Sequence, residues 1–154
     1  MKKVIFFSGL AVLFIFLSGC GGGKQTTLMD ELAADGNYHY QNKELGFSLT
    51  LPPEFIYYQT QRKSNDGYTD IEFFVPTNDR RFHSLVAGYA RAIVVRVYDK
   101  GAAVDIDEKQ GWRKAGEKDG CVYVLWLWST QPNDWQKKWN EDMSKKIVSG
   151  FELL

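Results

Sequence analysis

The chain has 154 residues, of which 44% are hydrophobic and 15% are aromatic, with equal numbers of acidic and basic residues. This composition predicts one compact domain with a well-filled core and excludes disorder over most of the chain. Loss of an N-terminal segment that contains Lys2 and Lys3 would leave 17 basic and 19 acidic residues, a net charge of −2. Such a balance gives no electrostatic support to nucleic-acid binding.

The first 20 residues have the pattern of a bacterial export signal. Lys2 and Lys3 precede an uncharged run of 14 residues, 4–17. As a helix this run reaches roughly 21 Å, whereas the hydrocarbon core of a membrane is roughly 30 Å thick. The sequence LSGC, which ends at Cys20, resembles the lipobox of bacterial lipoproteins. The resemblance implies cleavage before Cys20, a diacylglyceryl group on its sulfur and an acyl chain such as palmitate on its new amino group.

Lipidation at Cys20 sets the predicted organisation of the chain. Residues 1–19 are a lipoprotein signal peptide, residues 20–36 are the lipidated cysteine and a flexible tether, and residues 37–154 are a single α+β domain. Two or three buried acyl chains hold a protein stably at a membrane. Glycine rather than aspartate at position 21 favours the outer membrane where two membranes exist. The alternative is an uncleaved signal anchor in which Cys20 is incidental.

From residue 37 the apolar residues alternate with polar ones, which predicts β-strands. Two strands, around Tyr38–Tyr40 and at residues 47–51, are predicted to join across NKELG and to end at Pro52. Residues 55–62 and 68–75 flank the turn sequence SNDG and predict a second hairpin. Residues 76–88 have no period and form the longest predicted loop, followed by a long strand at residues 88–98.

Asp119 and Gly120 predict a two-residue turn between strands at residues 112–118 and 121–129. The second of these strands is apolar on both faces, which predicts a central strand that is covered on both sides. Cys121 begins it. With Cys20 lipidated, Cys121 has no intramolecular disulfide partner, and we interpret it as a small buried hydrophobe rather than a nucleophile.

The C-terminal stretch predicts one helix that packs across the sheet. Trp135, Trp139, Met143 and Ile147 recur at four-residue spacing and predict its buried face. Asn133 or Asp134 is expected to cap its start, and Gly150 is expected to adopt the left-handed conformation after its end. Glu141 with Lys145 and Asp142 with Lys146 have the favourable spacing for ion pairs on the exposed face.

Two parts of the domain resemble the PsbP-like and DcrB-like superfamily. The sequence YQNKELGFSLTLPPEF has the tyrosine, asparagine, turn, glycine-phenylalanine, strand and proline order of its opening, and a tryptophan-bearing helix that runs into IVSGFEL is similar to its ending. The resemblance implies a mainly antiparallel sheet of five to seven strands in an α/β/α sandwich, with accessory or protein-binding roles. The chain departs from the pattern at AVDIDEKQG, where many members carry a substantial helix. The partner-binding and metal positions of the plant proteins have no recognisable match.

The sequence contains few residues in catalytic or metal-binding patterns. His39 and His83 have no metal-ligand spacing and are interpreted as surface or turn residues. Asp105, Asp107 and Glu108 resemble half of a calcium loop, but the glycine and the distal glutamate of that loop are absent, so we interpret them as a solvated acidic turn. No catalytic residue, metal ligand or cofactor is predicted, and the protein is not expected to be an enzyme.

All five tryptophans lie between residues 112 and 139. Because Trp126 and Trp128 would share one strand face and Trp135 and Trp139 one helix face, they predict the contact between the helix and the central strand. The alternative is an exposed platform that stacks on sugars.

The sequence therefore predicts an extracytoplasmic lipoprotein, anchored to the cell envelope through Cys20, which acts as a non-enzymatic module that binds another envelope protein. A glycan or small-ligand module with a tryptophan-rich surface is the alternative. A hydrolase is a third hypothesis, and it would require a histidine and a carboxylate with shifted pKa values in a cleft.

Overall fold

The computed structural model describes residues 31–154. The predicted signal peptide, Cys20 and most of the predicted tether lie outside the described residues. Within residues 31–154, no helix is long and apolar enough to cross a membrane.

Eight strands and one α-helix make up the regular structure of the described chain. The elements are β1 (Tyr38–Asn42), β2 (Phe47–Leu51), β3 (Gln59–Asn65), β4 (Tyr68–Pro76), β5 (Tyr89–Tyr98), β6 (Trp112–Lys118), β7 (Cys121–Leu127), α1 (Glu141–Ser149) and β8 (Phe151–Leu153). They form two antiparallel sheets, one in the order β1-β2-β8 and one in the order β3-β4-β5-β7-β6. The α+β class and the antiparallel pairing are confirmed, and the strands divide between two sheets rather than forming one.

The three hairpins predicted from turn sequences are confirmed. β1 pairs with β2, β3 with β4 and β6 with β7. At the last turn Asp119 and Gly120 have φ values of 54° and 84°, as a type I′ turn requires, and the twist of that turn matches the twist of the strands. β3 begins at Gln59 rather than at residue 55, because Pro53–Phe55 forms a short 3-10 helix and Tyr57 has a left-handed φ of 61°.

The core lies between the two sheets. Phe47, Leu49 and Leu51 of β2 are fully buried, and so are the inward residues Phe73 of β4 and Leu125 of β7. An edge-to-face contact between Tyr40 and Phe73, with 4.9 Å between ring centroids, joins the sheets directly. In β1 and β2 the residues that face the core alternate with polar ones, which is why the sequence alternates there.

The prediction of one long C-terminal helix is wrong at its start. Pro132 to Trp139 form a separate turn, and α1 begins only after Asn140, whose backbone is extended and whose side chain accepts a hydrogen bond from Met143 N at 2.8 Å. Asn140, not Asn133 or Asp134, is therefore the cap. The predicted pair between Glu141 and Lys145 is present at 2.8 Å.

The end and the position of α1 also differ from the prediction. α1 lies against β2 and β8 instead of across β7. Gly150 has φ of −84° and is not left-handed. Glycine is needed there because a Cβ at position 150 would lie 2.9 Å from Thr50 Cβ. The end of the helix can therefore approach β2 closely enough for Thr50 N to donate to Gly150 O at 2.9 Å.

The tryptophan contact is confirmed in part. Trp128 packs edge to face on Trp135 and Trp139, with centroids 5.6 and 5.1 Å apart, and Phe55 contacts the same two rings. The prediction for Trp126 is wrong, because β7 ends at Leu127 and the alternation ends with it. Trp128 therefore packs in the core, whereas Trp126 packs on the opposite side of the sheet.

We expect Trp135→Ala to lower the free energy of unfolding by about 3 to 5 kcal/mol, because it removes a large ring that is only 2% exposed and leaves a cavity. Urea unfolding followed by far-UV circular dichroism measures this. Trp126→Ala is the matched control, since Trp126 is half-buried, and we expect a smaller loss. An equal or larger loss for Trp126→Ala would contradict this account of the core.

Candidate functional site

The candidate site is the outer face of the five-stranded sheet, which points away from the three-stranded sheet. The strand register places charged and aromatic residues side by side on this face. They are Lys63 of β3, Tyr68, Asp70 and Glu72 of β4, Arg91, Arg96 and Tyr98 of β5, Trp112 and Lys114 of β6, and Trp126 of β7.

Residues 99–111 cover part of this face. They lead from the end of β5 to the start of β6 and pass over β7, which lies between those strands. The hydroxyl of Tyr98 donates to the Asp105 carbonyl at 2.6 Å, and the indole of Trp126 donates to the Gln110 carbonyl at 3.0 Å. On the outer face of β7, Val124 is 1% exposed, whereas Val122 and Trp126 are half-buried, so the prediction that β7 is covered on both faces is confirmed in part.

Arg96 contacts one acid and two aromatic rings. Its Nε and Nη2 donate to the two carboxylate oxygens of Asp70 at 2.8 and 2.9 Å. Its guanidinium carbon lies 3.9 Å from the ring centroid of Tyr68 and 4.4 Å from that of Trp112. The hydrogen bonds to Asp70 raise the pKa of Arg96 above its ordinary value, so the group stays charged. A planar guanidinium suits this combination of bidentate pairing and stacking, whereas an ammonium does not.

Glu72 is a second buried carboxylate, which lies two residues after Asp70 on the same face of β4. Its side chain is 2% exposed. One oxygen accepts from Arg91 at 2.6 Å, and the other lies 2.6 Å from Nζ of Lys63. Burial of a carboxylate costs several kcal/mol unless cations and hydrogen bonds compensate it. The two cations, which are 37% and 43% exposed, contact both oxygens of Glu72 and keep their own outer sides in water.

The rings and guanidinium groups form a continuous row. In order, its members are Tyr68, Arg96, Trp112, Trp126 and Arg91, which we call the aromatic–arginine row. Trp112 and Trp126 have centroids 6.4 Å apart, and the guanidinium of Arg91 lies 5.3 Å from the centroid of Trp126. Tyr68, Trp112 and Trp126 each keep part of their surface in solvent. The row therefore presents half-exposed rings whose orientation is already set by stacking.

A shallow depression lies at one end of the row. Its volume is about 440 Å³, and its lining includes Tyr68, Arg96 and Tyr98 of the sheet, with Asp66 and Asp105 at its rim. Both rim carboxylates are exposed. The depression extends the row toward the turn between β3 and β4.

The predicted chemical candidates lie elsewhere and serve local structure. The ring of His83 hydrogen-bonds the Thr77 carbonyl at 3.0 Å inside the predicted long loop. Asp107 accepts from the backbone of Lys109 and Gln110 and so caps a short 3-10 helix. Cys121 is half-buried and packs against the core. Among residues 31–154, no three His, Cys, Asp or Glu side chains group as metal ligands.

His39 has partners that the sequence did not predict. Its Nδ1 lies 3.2 Å from Thr50 Oγ1, and its Nε2 lies 2.9 Å from Asp35 Oδ2. Hydroxyl, imidazole and carboxylate in this order resemble an activated nucleophile. The side chains of His39 and Asp35 are 47% and 49% exposed, however, and hydrogen bonds from Asn37 are the main cause of the lowered pKa of Asp35. We interpret the group as a surface network that fixes the start of β1.

The sequence signal for the row lies in β4 and β5. Asp70 and Glu72 alternate with buried Ile71 and Phe73, the ordinary pattern of a strand with one face in the core, but both acids are buried as well. Charges at such positions need partners on the next strand, and the arginines of β5 supply them. Which arginine of β5 pairs with which acid of β4 can be assigned only when the register of the two strands is known.

No protein-family model, no curated protein and no solved structure matches the chain. The likeness to the PsbP-like and DcrB-like superfamily therefore stays a prediction.

We expect Arg96→Lys to lower the free energy of unfolding by about 1 to 2 kcal/mol, because lysine keeps the charge but loses the bidentate pair and the stacking on two rings. Arg62→Lys is the matched control. Arg62 also pairs with a carboxylate, Glu44, at 2.7 Å, but both side chains are well exposed. Urea unfolding of both variants tests this, and equal losses would contradict the stacked arrangement.

Proposed function

We propose that this protein is a lipid-anchored, non-enzymatic module of the bacterial cell envelope that binds another protein through the aromatic–arginine row. The anchor is Cys20, and the domain works outside the cytoplasm, on the outer membrane where two membranes exist. The domain is proposed to be a PsbP-like variant in which residues 99–111 stand where relatives carry a middle helix.

The proposed binding role rests mainly on the composition and exposure of the aromatic–arginine row. Tryptophan, tyrosine and arginine are the residues that contribute most binding energy at protein interfaces. In this protein they lie together on one sheet face and are half-exposed. Stacking restricts their rotamers before binding, so a partner would lose less conformational entropy on contact than it would with free side chains.

The surroundings of the row favour a protein partner over a small ligand. Lys63 and Lys114 flank the row, and each is about half exposed while its ammonium group pairs with an acid. A sheet face with central rings and a charged rim has the layout of a protein interface. Trp112 and Trp126 would also suit a sugar ring, and a glycan ligand is the alternative that the experiment below separates.

The anchor is tested by Cys20→Ser. We expect the wild type to incorporate a labelled fatty acid and to be shortened by signal cleavage, whereas the variant does neither, because the sulfur that receives the diacylglyceryl group is absent. Metabolic labelling and gel mobility of the full chain measure this. Cys121→Ser is the matched control and should label like the wild type. Labelling of Cys20→Ser would contradict the anchor.

The binding face is tested by a photoreactive amino acid placed at Lys114, on the outer face, and at Lys145, on the exposed side of α1. We expect irradiation of intact cells to give a discrete protein adduct from position 114 and none from position 145. Addition of Trp126→Ala should remove the adduct while the thermal unfolding of the domain stays cooperative.

Two results would contradict binding through the aromatic–arginine row. Equal adducts from positions 114 and 145, or an adduct that survives Trp126→Ala, would show that the row does not select the partner. Loss of binding to purified envelope polysaccharide in Trp126→Ala, without any protein adduct, would favour the glycan alternative.

A further inference from the structure

The large exposed apolar residues are concentrated at one end of the domain. Six such residues occur among those described, and four of them belong to the segments next to β1 or to the loops beside it. These four are Leu32, Ile56, Tyr57 and Leu85. The other two are Val104 in the segment over the outer face and Leu154 at the C-terminus.

The backbone brings those four residues to the same end. We call it the entry end, because the chain enters β1 there. Tyr38, the first residue of β1, packs on Tyr58 with centroids 6.0 Å apart. Phe55, in the same loop as Tyr58, packs on Trp135. The indole of Trp135 donates to the carbonyl of Pro76, where the loop that carries Leu85 begins.

The remaining two residues lie at the opposite end. β5 starts at the entry end and runs away from it, and Tyr98 at its far end binds the backbone of Asp105, next to Val104. Leu154 N donates to the carbonyl of Gly46, in the turn that joins the far ends of β1 and β2.

Tyr57 is the most exposed of the entry-end residues and has an unfavourable backbone. Tyr57 is 56% exposed, and its backbone φ is 61°. Glycine takes this conformation without strain, whereas a bulky residue does not. A strained, exposed aromatic residue beside exposed Ile56 gains nothing for the folded domain in water. Strain of this kind is typical of functional sites.

Exposed cations lie near the apolar residues of the entry end. They are Arg80, Lys137 and Lys138, and the exposed acids at this end are Glu31, Asp35, Glu54 and Asp134. Arg81 is neutralised by Asp79 at 2.6 Å. Tyrosine and apolar side chains with nearby cations are the residues that settle at the boundary between headgroups and acyl chains.

From these observations we infer that the entry end rests on the membrane, with Ile56 and Tyr57 inserted at the level of the headgroups. This inference rests on the proposed anchor at Cys20. Ten residues lie between Cys20 and Glu31, and the eleven residue steps from one to the other reach at most roughly 40 Å when fully extended. The far end could contact the membrane only if this segment were stretched along the whole length of the domain. Contact through the entry end needs no such extension.

The inference is tested on the lipidated full chain in vesicles of phosphatidylethanolamine and phosphatidylglycerol. A nitroxide label is attached at Tyr57→Cys, or at Val104→Cys as the matched control, in a Cys121→Ala background. Both positions carry exposed apolar residues, at 56% and 42%. We expect the ratio of oxygen to nickel-chelate accessibility to be several-fold higher at position 57 than at position 104, because oxygen concentrates in lipid and the chelate in water.

A label at Ile56→Cys repeats the measurement if position 57 perturbs the fold. An equal or lower ratio at both entry-end positions than at 104, in protein that carries the acyl label, overturns this inference and leaves the anchor intact. Absence of acyl label from the wild type overturns the anchor and the inference together.

Discussion

Within residues 31–154, the rest of the structure covers one face of the five-stranded sheet fully and the other face only in part. The three-stranded sheet and α1 occupy the inner side, so its residues pack in a dry core. On the outer side, residues 99–111 are the only part of the described chain that returns across the strands. Most of the unusual chemistry of the domain follows from this imbalance, because the outer face has to combine buried strand positions with contact to water.

The outer face meets that demand with charge rather than with further apolar residues. Asp70 and Glu72 are buried, and each is compensated by arginine on the neighbouring strand. The arginines in turn lie on aromatic rings, which shield their flat faces while their edges make hydrogen bonds. Apolar residues at the same positions would pack as well but would leave an exposed hydrophobic patch that promotes aggregation. The arrangement keeps the face wettable and still rigid.

Local signals in the sequence predicted the local structure, and the long-range contacts needed the fold. Asp119–Gly120 and the prolines after β2 determine turns and strand ends through their own backbone preferences. The four-residue spacing of Trp135 and Trp139 fits a turn as well as a helix, so it could not reveal the break at Asn140. Similarly, Asp70 and Arg96 are 26 residues apart, and only the register of β4 on β5 makes them partners. The division into two sheets depends on contacts such as Tyr40 with Phe73, which no local pattern encodes.

The place of β8 has a consequence for how the chain folds. β8 is formed by Phe151–Leu153 and pairs with β2, about a hundred residues earlier. The three-stranded sheet covers the core, and it therefore cannot be completed until residues 151–153 are available to pair with β2. Closure of so long a loop is slow compared with hairpin formation. Under the proposal that the chain is exported, the domain could complete its fold only after residues 151–153 had left the translocation channel.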